Sequence, residues 1–310
     1  MSRPGHDRNW VGIDWGTTHR RAWYFIDGRL QARHADDLGL LRAAPDFAGA
    51  LQTLLQALGA PERSRVVMAG MVGSASGWQE VPYLPAGRPL ADWARALQPL
   101  QGAPHCAIVP GCIWHGGQGD VDVMRGEETQ LLGAWALDGR DGWAVLPGTH
   151  SKWVQVQDGA VRRLHTHLSG ELHALLSAQG TLAPLLADGV AAADPLQHAE
   201  AFAAGVAAAG RAALGRALFG LRARVVSGAL PRQQAGAYLS GVLLGAEWRE
   251  ALELGLAAGS QAPLRLIGSP ALVRLHAAVA AQHGVAVQAL DIEAVQCAAW
   301  QALGAAGDMA

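Results

Sequence analysis

The chain has 310 residues, which is long enough for two domains that each have a core. Its 24 basic and 26 acidic residues give a formal net charge of −2, so no surface for nucleic acid is indicated. Runs of 18 or more uncharged apolar residues are missing, and the first ten residues lack the apolar segment of a signal peptide. These features, with three cysteines in no disulfide or zinc spacing, favour a cytoplasmic protein without a membrane partner.

A three-stranded meander is predicted for residues 10–34. The strand WVGID leads into the turn WGTTH, and the strand RRAWYFI follows. Asp27-Gly28 is a strong hairpin signal, after which RLQARH forms the third strand.

The first turn carries groups suited to a phosphate and a metal ion. Asp14 ends a buried strand, where a carboxylate is costly without a partner, and Mg²⁺ is the usual partner. Gly16 lets the backbone approach a phosphate closely. Thr17 and Thr18 offer hydroxyl and amide donors, and Arg21 offers a positively charged fork. An ordinary hairpin with a capping aspartate is the alternative for this turn alone.

A glycine- and serine-rich loop follows the next buried strand. Residues 45–59 have a helical stripe closed by Gly59, and RVVMAGMVG is then a strand that runs into the loop at 69–78. Such loops commonly line sites in α/β folds. The candidates for binding a hydroxylated substrate here are Gly70, Met71, Ser74, Ser76, Trp78 and Glu80.

A strand, CAIVPG, and a polar loop, HGGQGDVD at 115–122, precede a helix that is predicted from about Glu127 to Leu137. Glu127 and Glu128 fall in its first turn, where the helix dipole favours ionised carboxylates. One of them could orient or deprotonate a substrate hydroxyl, and Glu127 is the choice because it is closest to the glycine turn. The rivals are Asp120, Asp122 and Glu128.

The opening segment occurs a second time at 143–159, WAVLPGTHSKWVQVQDG. A repeat of this length predicts two similar subdomains, with two Gly-Thr hairpins that would form a phosphate clamp. Leu146 stands where Asp14 stood, so the second copy is expected to bind phosphate without metal. Its candidate phosphate ligands are Gly148, Thr149, His150, Ser151 and Lys152. Ser151 as a nucleophile with His150 as its base is disfavoured, because no G-x-S-x-G elbow is present.

The remainder is predicted to be mainly helical. HTHLSGELH at 165–173 could ligate zinc. The favoured interpretation places its histidines at the end of a strand, and Ser169-Gly170-Glu171 then starts a helix near a ligand. Several helices are expected over 171–250. LRLIGSPALVRL at 264–275 is then a strand, a turn at Gly268-Ser269 that could lie against adenine, and a helix. A short strand, VAVQAL, and a last helix at 293–306 complete the chain.

Strands that alternate with helices after each meander indicate an α/β fold with mixed sheets flanked by helices. The polar turn DGRDG places the domain boundary near 138–142. The expected domains are therefore 1–138 and 139–310, with 293–306 a candidate to pack back on the first.

In order, D-x-G-T-T, G-E-E, G-T-H-S-K and strand-Gly-Ser-helix resemble the sugar kinase/actin/heat-shock ATPase superfamily. More narrowly, the whole chain resembles the 2-dehydro-3-deoxygalactonokinase family. The segments that carry this resemblance are IDWGTTHRRAW, VVMAGMVGSASGW, VMRGEETQLLGA, LPGTHSKWVQ, SGELHALL and LSGVLLGAEW.

The resemblance implies two ribonuclease-H-like domains, with a nucleotide in the cleft between them. It implies Asp14 near Mg²⁺, ATP phosphates at the two Gly-Thr turns and Gly268-Ser269 beside adenosine. Glu127 would replace the catalytic aspartate of related sugar kinases, and Glu128 and Glu171 would lie on the substrate side. The implied reaction is ATP-dependent phosphorylation of the 6-hydroxyl of 2-dehydro-3-deoxy-D-galactonate, in galactonate catabolism.

Several alternatives stay open at the level of sequence. The substrate could be another sugar acid such as 2-dehydro-3-deoxygluconate, or the protein could be a non-catalytic ATP-binding sensor of the same fold. A zinc hydrolase that uses the histidines of 165–173 is a third reading. The substrate carboxylate could be bound by backbone amides of 70–77 or by a nearby arginine. The oligomeric state is also open, and a homo-oligomer is one possibility.

Overall fold

The computed structural model describes residues 9–255 and 262–305. The N-terminal decapeptide used in the signal-peptide argument lies mostly outside these ranges, as does residue 306 at the predicted end of the last helix. No helix in the described part is long and apolar enough to cross a bilayer. The chain forms two compact units. Unit 1 comprises the residues up to Asp141, Val156–Leu164 and the residues from Asp291 onward, and unit 2 comprises Gly142–Gln155 and His165–Leu290.

The first large sheet has six strands in the order β3-β2-β1-β4-β7-β6. β2 is antiparallel to β1, whereas β4 is parallel to it, so the sheet is mixed as expected. A separate three-stranded sheet has the order β5-β8-β9. The strands are β1 (Trp10–Trp15), β2 (Arg20–Ile26), β3 (Arg29–Asp36), β4 (Arg65–Gly70), β5 (Tyr83–Pro85), β6 (Gln98–Leu100), β7 (Ala103–Ile108), β8 (Gly111–His115) and β9 (Val121–Met124).

The helices of the first part of the chain are α1 (Leu40–Ala43), α2 (Phe47–Leu58) and α3 (Glu127–Asp138). α2 lies within the stripe predicted at 45–59. The Asp46 carboxylate accepts a hydrogen bond from the Gly49 amide at its start, and Gly59 ends it at φ 65°, as predicted. The leucines of its inner stripe pack on the first sheet in one apolar core.

The second large sheet has the order β12-β11-β10-β13-β14. This is the order of β3-β2-β1-β4-β7, so the sequence repeat is also a repeat of sheet topology. In both copies the Asp-Gly hairpin has two residues at positive φ: Asp27 and Gly28 at 50° and 74°, and Asp158 and Gly159 at 53° and 66°. The strands are β10 (Gly142–Leu146), β11 (Ser151–Gln157), β12 (Ala160–His167), β13 (Leu264–Leu266) and β14 (Val287–Ala289).

The predicted helical region holds five helices in the described residues, and two more follow it. They are α4 (Ser169–Ala178), α5 (Ala183–Leu186), α6 (Ala199–Arg211), α7 (Leu214–Val226), α8 (Ala235–Glu253), α9 (Pro270–Gln282) and α10 (Ile292–Ala305). α8 is buried along most of its length and forms the centre of the unit 2 core. The Gly205 and Gly241 positions bring α6 and α8 together, because a Cβ at either would meet the backbone of the other helix.

Two short segments belong to unit 1 although they follow β10 in the chain. The Val156–Leu164 segment bonds to unit 1 through Leu90, whose amide donates to Gly159 O at 2.8 Å, and Trp114, whose Nε1 donates to Arg162 O at 2.8 Å. α10 packs against β1, since Trp300 fills the space where Gly12 lacks a side chain.

The polar loop predicted at 115–122 is wrong at both ends. Its first residue, His115, closes β8, and its last two residues begin β9, which pairs antiparallel with β8. Residues 116–120, which include a short turn at Gly117–Gly119, separate these strands. The alternation of polar and apolar residues in VDVM is a strand pattern, and it was masked by the glycines before it.

Candidate functional site

Asp14 lies next to the end of β1, between β2 and β4. Its backbone is paired with Arg21 on one side and with Ala69 on the other. The rest of β1 is buried, and about a quarter of the Asp14 side chain is exposed. Burial raises the pKa of this carboxyl and the charge of Glu127 raises it further, whereas Arg21 lowers it. Asp14 is therefore a carboxylate near the carboxyl end of β1, and the charge of Arg21 balances its charge only in part.

The first Gly-Thr turn is held by the segment that starts α1. The carbonyl oxygens of Gly16, Thr17 and Thr18 accept hydrogen bonds of 2.9, 3.1 and 3.2 Å from the amides of Leu40, Leu41 and Gly39, respectively. The side chains of Thr17 and Thr18 are exposed, and Thr18 Oγ1 lies 2.9 Å from His19 Nδ1. The turn is thus fixed through its backbone, while its two threonine side chains are exposed.

Two glycines bring α3 to the end of β1. Gly126 has φ 109°, and a Cβ there would lie 3.3 Å from Gly70 Cα. Gly70 has φ 92° and would place a Cβ 2.8 Å from Trp15 O. These backbone conformations suit glycine, and the close approach excludes side chains. The result is that Glu127, the first residue of α3, lies close enough for its charge to act on Asp14.

The two acids at the start of α3 occupy different environments. Glu127 is half-buried, and its Oε2 accepts a hydrogen bond of 3.1 Å from the Arg125 amide. Glu128 is fully buried and accepts from the Gly126 amide through both oxygens, at 2.9 and 2.8 Å. Burial and the neighbouring Glu127 charge raise the pKa of Glu128 to about 8. Glu127 is therefore the member of the pair that a substrate can reach.

The rival acids lie on the β8–β9 hairpin. Asp120 is exposed and follows the short turn at Gly117–Gly119, and its carbonyl accepts from the Gly116 amide. Asp122 is half-buried in β9, where its Oδ1 accepts from the Val123 amide at 2.7 Å.

The loop after β4 is stapled to the core by an aromatic side chain. Trp78 stacks on Phe47 at 5.9 Å and meets the edge of Trp15 at 6.3 Å. Ser74 Oγ donates to Met71 O at 2.7 Å, and Ser76 Oγ lies 3.3 Å from Ser74 Oγ. Trp78 therefore holds this loop against Trp15 of β1, while Glu80 at the end of the loop is exposed.

Arg125, which sequence reasoning did not single out, packs beneath this loop. Its guanidinium lies 4.2 Å from the centre of the Tyr83 ring, and its Nη2 donates to Val81 O at 2.9 Å. The remaining guanidinium nitrogens, Nε and Nη1, are buried without a hydrogen-bond partner in the described residues. It is a basic residue close to Gly73, with Nη1 3.1 Å from the position a Cβ would take there.

The second Gly-Thr turn, in unit 2, is held by the start of α4. A Cβ on Gly170 would lie 2.4 Å from Gly148 O, so the helix rests directly on the turn. The Glu171 amide donates to Thr149 O at 2.9 Å, and the Glu171 carboxylate lies 2.5 Å from His150 Nε2. Glu171, a predicted substrate ligand, is thus placed beside the candidate phosphate turn.

The last two residues of this turn segment are buried. Lys152 donates from Nζ to His150 O at 3.2 Å and is 4% exposed. Ser151 is 1% exposed, and its Oγ donates to Glu247 of α8 at 2.7 Å. Sequence reasoning missed Glu247, although a carboxylate within the apolar helical run SGVLLGAEW was a signal for it.

A cavity of about 390 Å³ opens beside this turn and is lined by unit 2 alone. Its walls combine alanine, leucine and proline side chains with a few polar groups, which is the composition of a small-molecule pocket of ordinary size. The residues that line this cavity include Gly148, Ser151, Gly170, Asp194, Glu247, Leu272 and Arg274.

Gly268 and Ser269 lie immediately before α9, whose first turns line the cavity. Ser269 is the N-cap of α9, with its Oγ 3.5 Å from the Leu272 amide. A Cβ on Gly268 would lie 3.2 Å from Pro147 Cδ, so this turn packs against the residue before Gly148. On the cavity wall beyond it, Arg274 reaches Asp194 with an N–O distance of 3.3 Å.

The histidine-rich segment shows no clustering of metal ligands. Within residues 9–255 and 262–305, no group of three or more His, Cys, Asp and Glu side chains is placed to hold a metal ion. His167 Nδ1 lies 3.8 Å from Glu250 Oε2, and His173 lines the cavity with its pKa lowered by burial. Ser169, Gly170 and Glu171 do begin a helix at this place.

Comparison with known proteins gives one family. A family described as 2-keto-3-deoxy-galactonokinase matches residues 14–303. The chain is 35% identical to 2-dehydro-3-deoxygalactonokinase of Escherichia coli (strain K12) over 240 residues, which are 77% of this chain and 78% of the relative. It is 32% identical over 297 residues to a candidate 2-dehydro-3-deoxygalactonokinase of Rhizobium meliloti (strain 1021), with 92% of each chain covered. A crystal structure of a candidate 2-dehydro-3-deoxygalactonokinase from Sinorhizobium meliloti superimposes with a TM-score of 0.83 at 30% identity, covering 96% of this chain and 95% of the other.

Proposed function

This chain belongs to the 2-keto-3-deoxy-galactonokinase family, and we propose that it transfers the γ-phosphoryl group of ATP to the 6-hydroxyl of 2-dehydro-3-deoxy-D-galactonate. Membership makes it a sugar-acid kinase with the mixed α/β fold of its relatives. The products would be ADP and 2-dehydro-3-deoxy-6-phosphogalactonate, within D-galactonate catabolism in the cytoplasm.

The observation that carries the proposal is the meeting of Asp14 and Glu127 at the contact between Gly70 and Gly126. Phosphoryl transfer needs an acceptor oxygen held in line and a group that takes its proton. Glu127 is half-buried at the start of α3, and its carboxylate can accept the proton of the 6-hydroxyl. The new bond joins that oxygen to the γ-phosphorus, and the bond from the γ-phosphorus to the β,γ-bridging oxygen breaks as ADP leaves.

Asp14 suits a divalent cation. Its carboxylate is partly buried, its pKa is raised by burial and by the nearby Glu127 charge, and a cation would relieve both effects. Mg²⁺ is usually held by one or two carboxylates with water and phosphate oxygens, so a single aspartate is a sufficient protein ligand. Bound there, Mg²⁺ would offset negative charge on the phosphate oxygens. Thr17, Thr18 and Arg21 beside it would bind those oxygens directly.

The unit 2 cavity is the proposed nucleoside site. Its size suits a small organic molecule, and one edge is the backbone of Gly148 in the second Gly-Thr turn. With phosphates at the amides of Gly148–His150, the adjoining apolar walls would receive the base, and the polar groups of Asp194 and Arg274 would face its ribose. Gly268 and Ser269 contribute by shaping the entry of α9.

The substrate-side residues are proposed to be Gly70, Met71, Ser74 and Glu80, at the end of β4 and in the loop after it; Gly70 is buried, Met71 and Ser74 are half-buried, and Glu80 is exposed. Trp78 holds this loop against the core. Glu128 supports Gly126 from the interior, since both of its oxygens accept from the Gly126 amide.

The test is an assay of purified protein with ATP, Mg²⁺ and a panel of 2-keto-3-deoxy sugar acids, with ADP release recorded. Phosphorus NMR on the product identifies the esterified oxygen, and a 6-deoxy analogue serves as the matched negative control. We expect turnover with the galactonate derivative and phosphate on the 6-hydroxyl. A higher kcat/KM for the gluconate epimer would make that epimer the assigned substrate. ATP binding without turnover on any acid would favour a sensor over a kinase.

A further inference from the structure

Glu247 of α8 is a buried carboxylate that joins three separate parts of unit 2. It is 2% exposed. Its Oε1 accepts hydrogen bonds from Ser151 Oγ at 2.7 Å and Trp153 Nε1 at 2.8 Å, and its Oε2 accepts from Ser169 Oγ at 2.5 Å. Ser151 opens β11 and Ser169 opens α4, so one side chain fixes both elements to α8.

These two elements flank the second Gly-Thr turn. Ser151 follows Gly148-Thr149-His150 directly in the chain. Ser169 precedes Gly170, which presses on Gly148 O, and Glu171, whose amide donates to Thr149 O. The position of the turn against the start of α4 is therefore set by the bonds that Glu247 makes on either side of it.

The chemistry of these bonds also decides what the serines can do. The hydroxyls of Ser151 and Ser169 both donate to the Glu247 carboxylate, so their protons point toward it. Toward the cavity each serine then presents lone pairs, which do not bind an anionic phosphate oxygen. All three groups that donate to Glu247 are neutral. Burying a carboxylate among neutral donors costs free energy, and an apolar side chain could pack at this place without that cost.

On the basis of the proposed function, we propose that Glu247 is a positioning residue for nucleotide binding. It acts through Ser151 and Ser169 to hold the backbone of Gly148–His150 in the arrangement that receives the phosphates. Ser151 takes part through Glu247 and not as a phosphate ligand. This role predicts loss of nucleotide affinity, with little effect on the sugar acid or on the transfer step.

The experiment measures ADP binding by calorimetry, together with kcat and both KM values, for Glu247→Gln. The amide keeps the shape but places an NH₂ group where one serine must donate, so one bond is lost or reversed. We expect the Kd for ADP and the KM for ATP to rise about tenfold, as for the loss of one strong hydrogen bond. The KM for the sugar acid and kcat at saturating ATP should change less than about twofold.

A second set of variants separates positioning from simple stability. Val242→Ala removes methyl groups from a fully buried side chain of the same helix that does not line the cavity, so it lowers stability without touching the turn. It should leave the Kd for ADP unchanged. Ser151→Ala and Ser169→Ala should each weaken ADP binding in the wild-type background and add nothing in a Glu247→Ala background, which lacks both accepting oxygens, because they act through one group.

Unchanged ADP affinity in Glu247→Gln, or equal losses in Glu247→Gln and Val242→Ala, would overturn the proposal. Additive effects of Ser151→Ala would return Ser151 to the phosphate ligands and also count against it. If the wild-type protein bound no ADP, the proposed function itself would fail, and that result is distinct from all of these. If Glu247→Gln does not fold, Ser169→Ala with its Kd for ADP decides.

Discussion

Arg21 stands directly across from Asp14 in the antiparallel pair of β1 and β2, with Nη1 3.9 Å from the Asp14 carboxylate. Half of the Arg21 side chain is exposed, so its charge is screened by water and balances Asp14 only in part. The carboxyl end of β1 thus presents an acidic side chain beside a basic one on β2.

Asp14→Asn should abolish the dependence of turnover on Mg²⁺ together with most of the turnover. The amide keeps the shape but loses the charge that a hard cation needs. The measurement is the initial rate across a Mg²⁺ titration at saturating ATP and sugar acid. Asp27→Asn is the matched control, because Asp27 lies in the adjoining hairpin at φ 50°, a conformation that asparagine accepts. An unchanged Mg²⁺ profile in Asp14→Asn would contradict the assigned role.

Glu127→Gln should lower kcat by a factor of about 10² or more while ADP still binds, because a general base contributes on that order. Steady-state kinetics and ADP calorimetry on the same preparation check both parts. Asp122→Asn, on the neighbouring hairpin, should keep most of the activity. Near-normal turnover in Glu127→Gln would move the base to Asp120, Asp122 or Glu128.

Glu128→Gln should gain stability relative to the wild-type protein as the pH rises. The folded pKa of about 8 lies above the ordinary value of 4.5, so between these values the folded state holds the extra proton and stability falls with rising pH. From pH 5 to pH 8 the difference in free energy of unfolding should move toward the variant by about 3 kcal/mol. Urea unfolding at several pH values measures it. Glu62→Gln, an exposed acid of unit 1, should show a flat difference, and an equally flat line for Glu128→Gln would refute the assignment.

Gly170→Ala should weaken ADP binding by about tenfold, since the new Cβ would lie 2.4 Å from Gly148 O and 2.8 Å from Thr149 Cα, and the turn must shift. Gly210→Ala in α6 is the control, because nothing lies within 4 Å of its Cβ position and alanine favours a helix. Calorimetry with ADP compares the two. Wild-type affinity in Gly170→Ala would mean that the turn does not receive the nucleotide.

The repeat and most secondary structure could be predicted because the signals are local. Asp27-Gly28 and Asp158-Gly159 adopt positive φ in the way that their residue types favour, and α2 begins and ends at its caps. The sheet of β5, β8 and β9 was missed, because its strands have three to five residues and polar glycine-rich segments beside them.

The candidate site divides in the same way. The sequence singled out Asp14 and Glu127 because one lies next to the end of a strand and the other begins a helix, and their roles stay predictions. The partners of Glu247 lie 96 and 78 residues away in the chain, and no local pattern connects them. Glu127 is half-buried and Glu128 is fully buried. This difference depends on the close approach of Gly126 to Gly70, which is a tertiary contact without a local sequence signal.

The return of α10 to unit 1 has a consequence for synthesis of the protein. Trp300 packs against Gly12 of β1 and Trp23 of β2, and the backbone at Val295 packs against Gly133 of α3. A ribosome releases every residue of unit 2 before it releases these. Unit 2 can therefore fold first, while unit 1, which starts the chain, waits for its last helix with the Asp14 strand uncovered. The first Gly-Thr turn, which is translated early, thus belongs to the unit that is completed last.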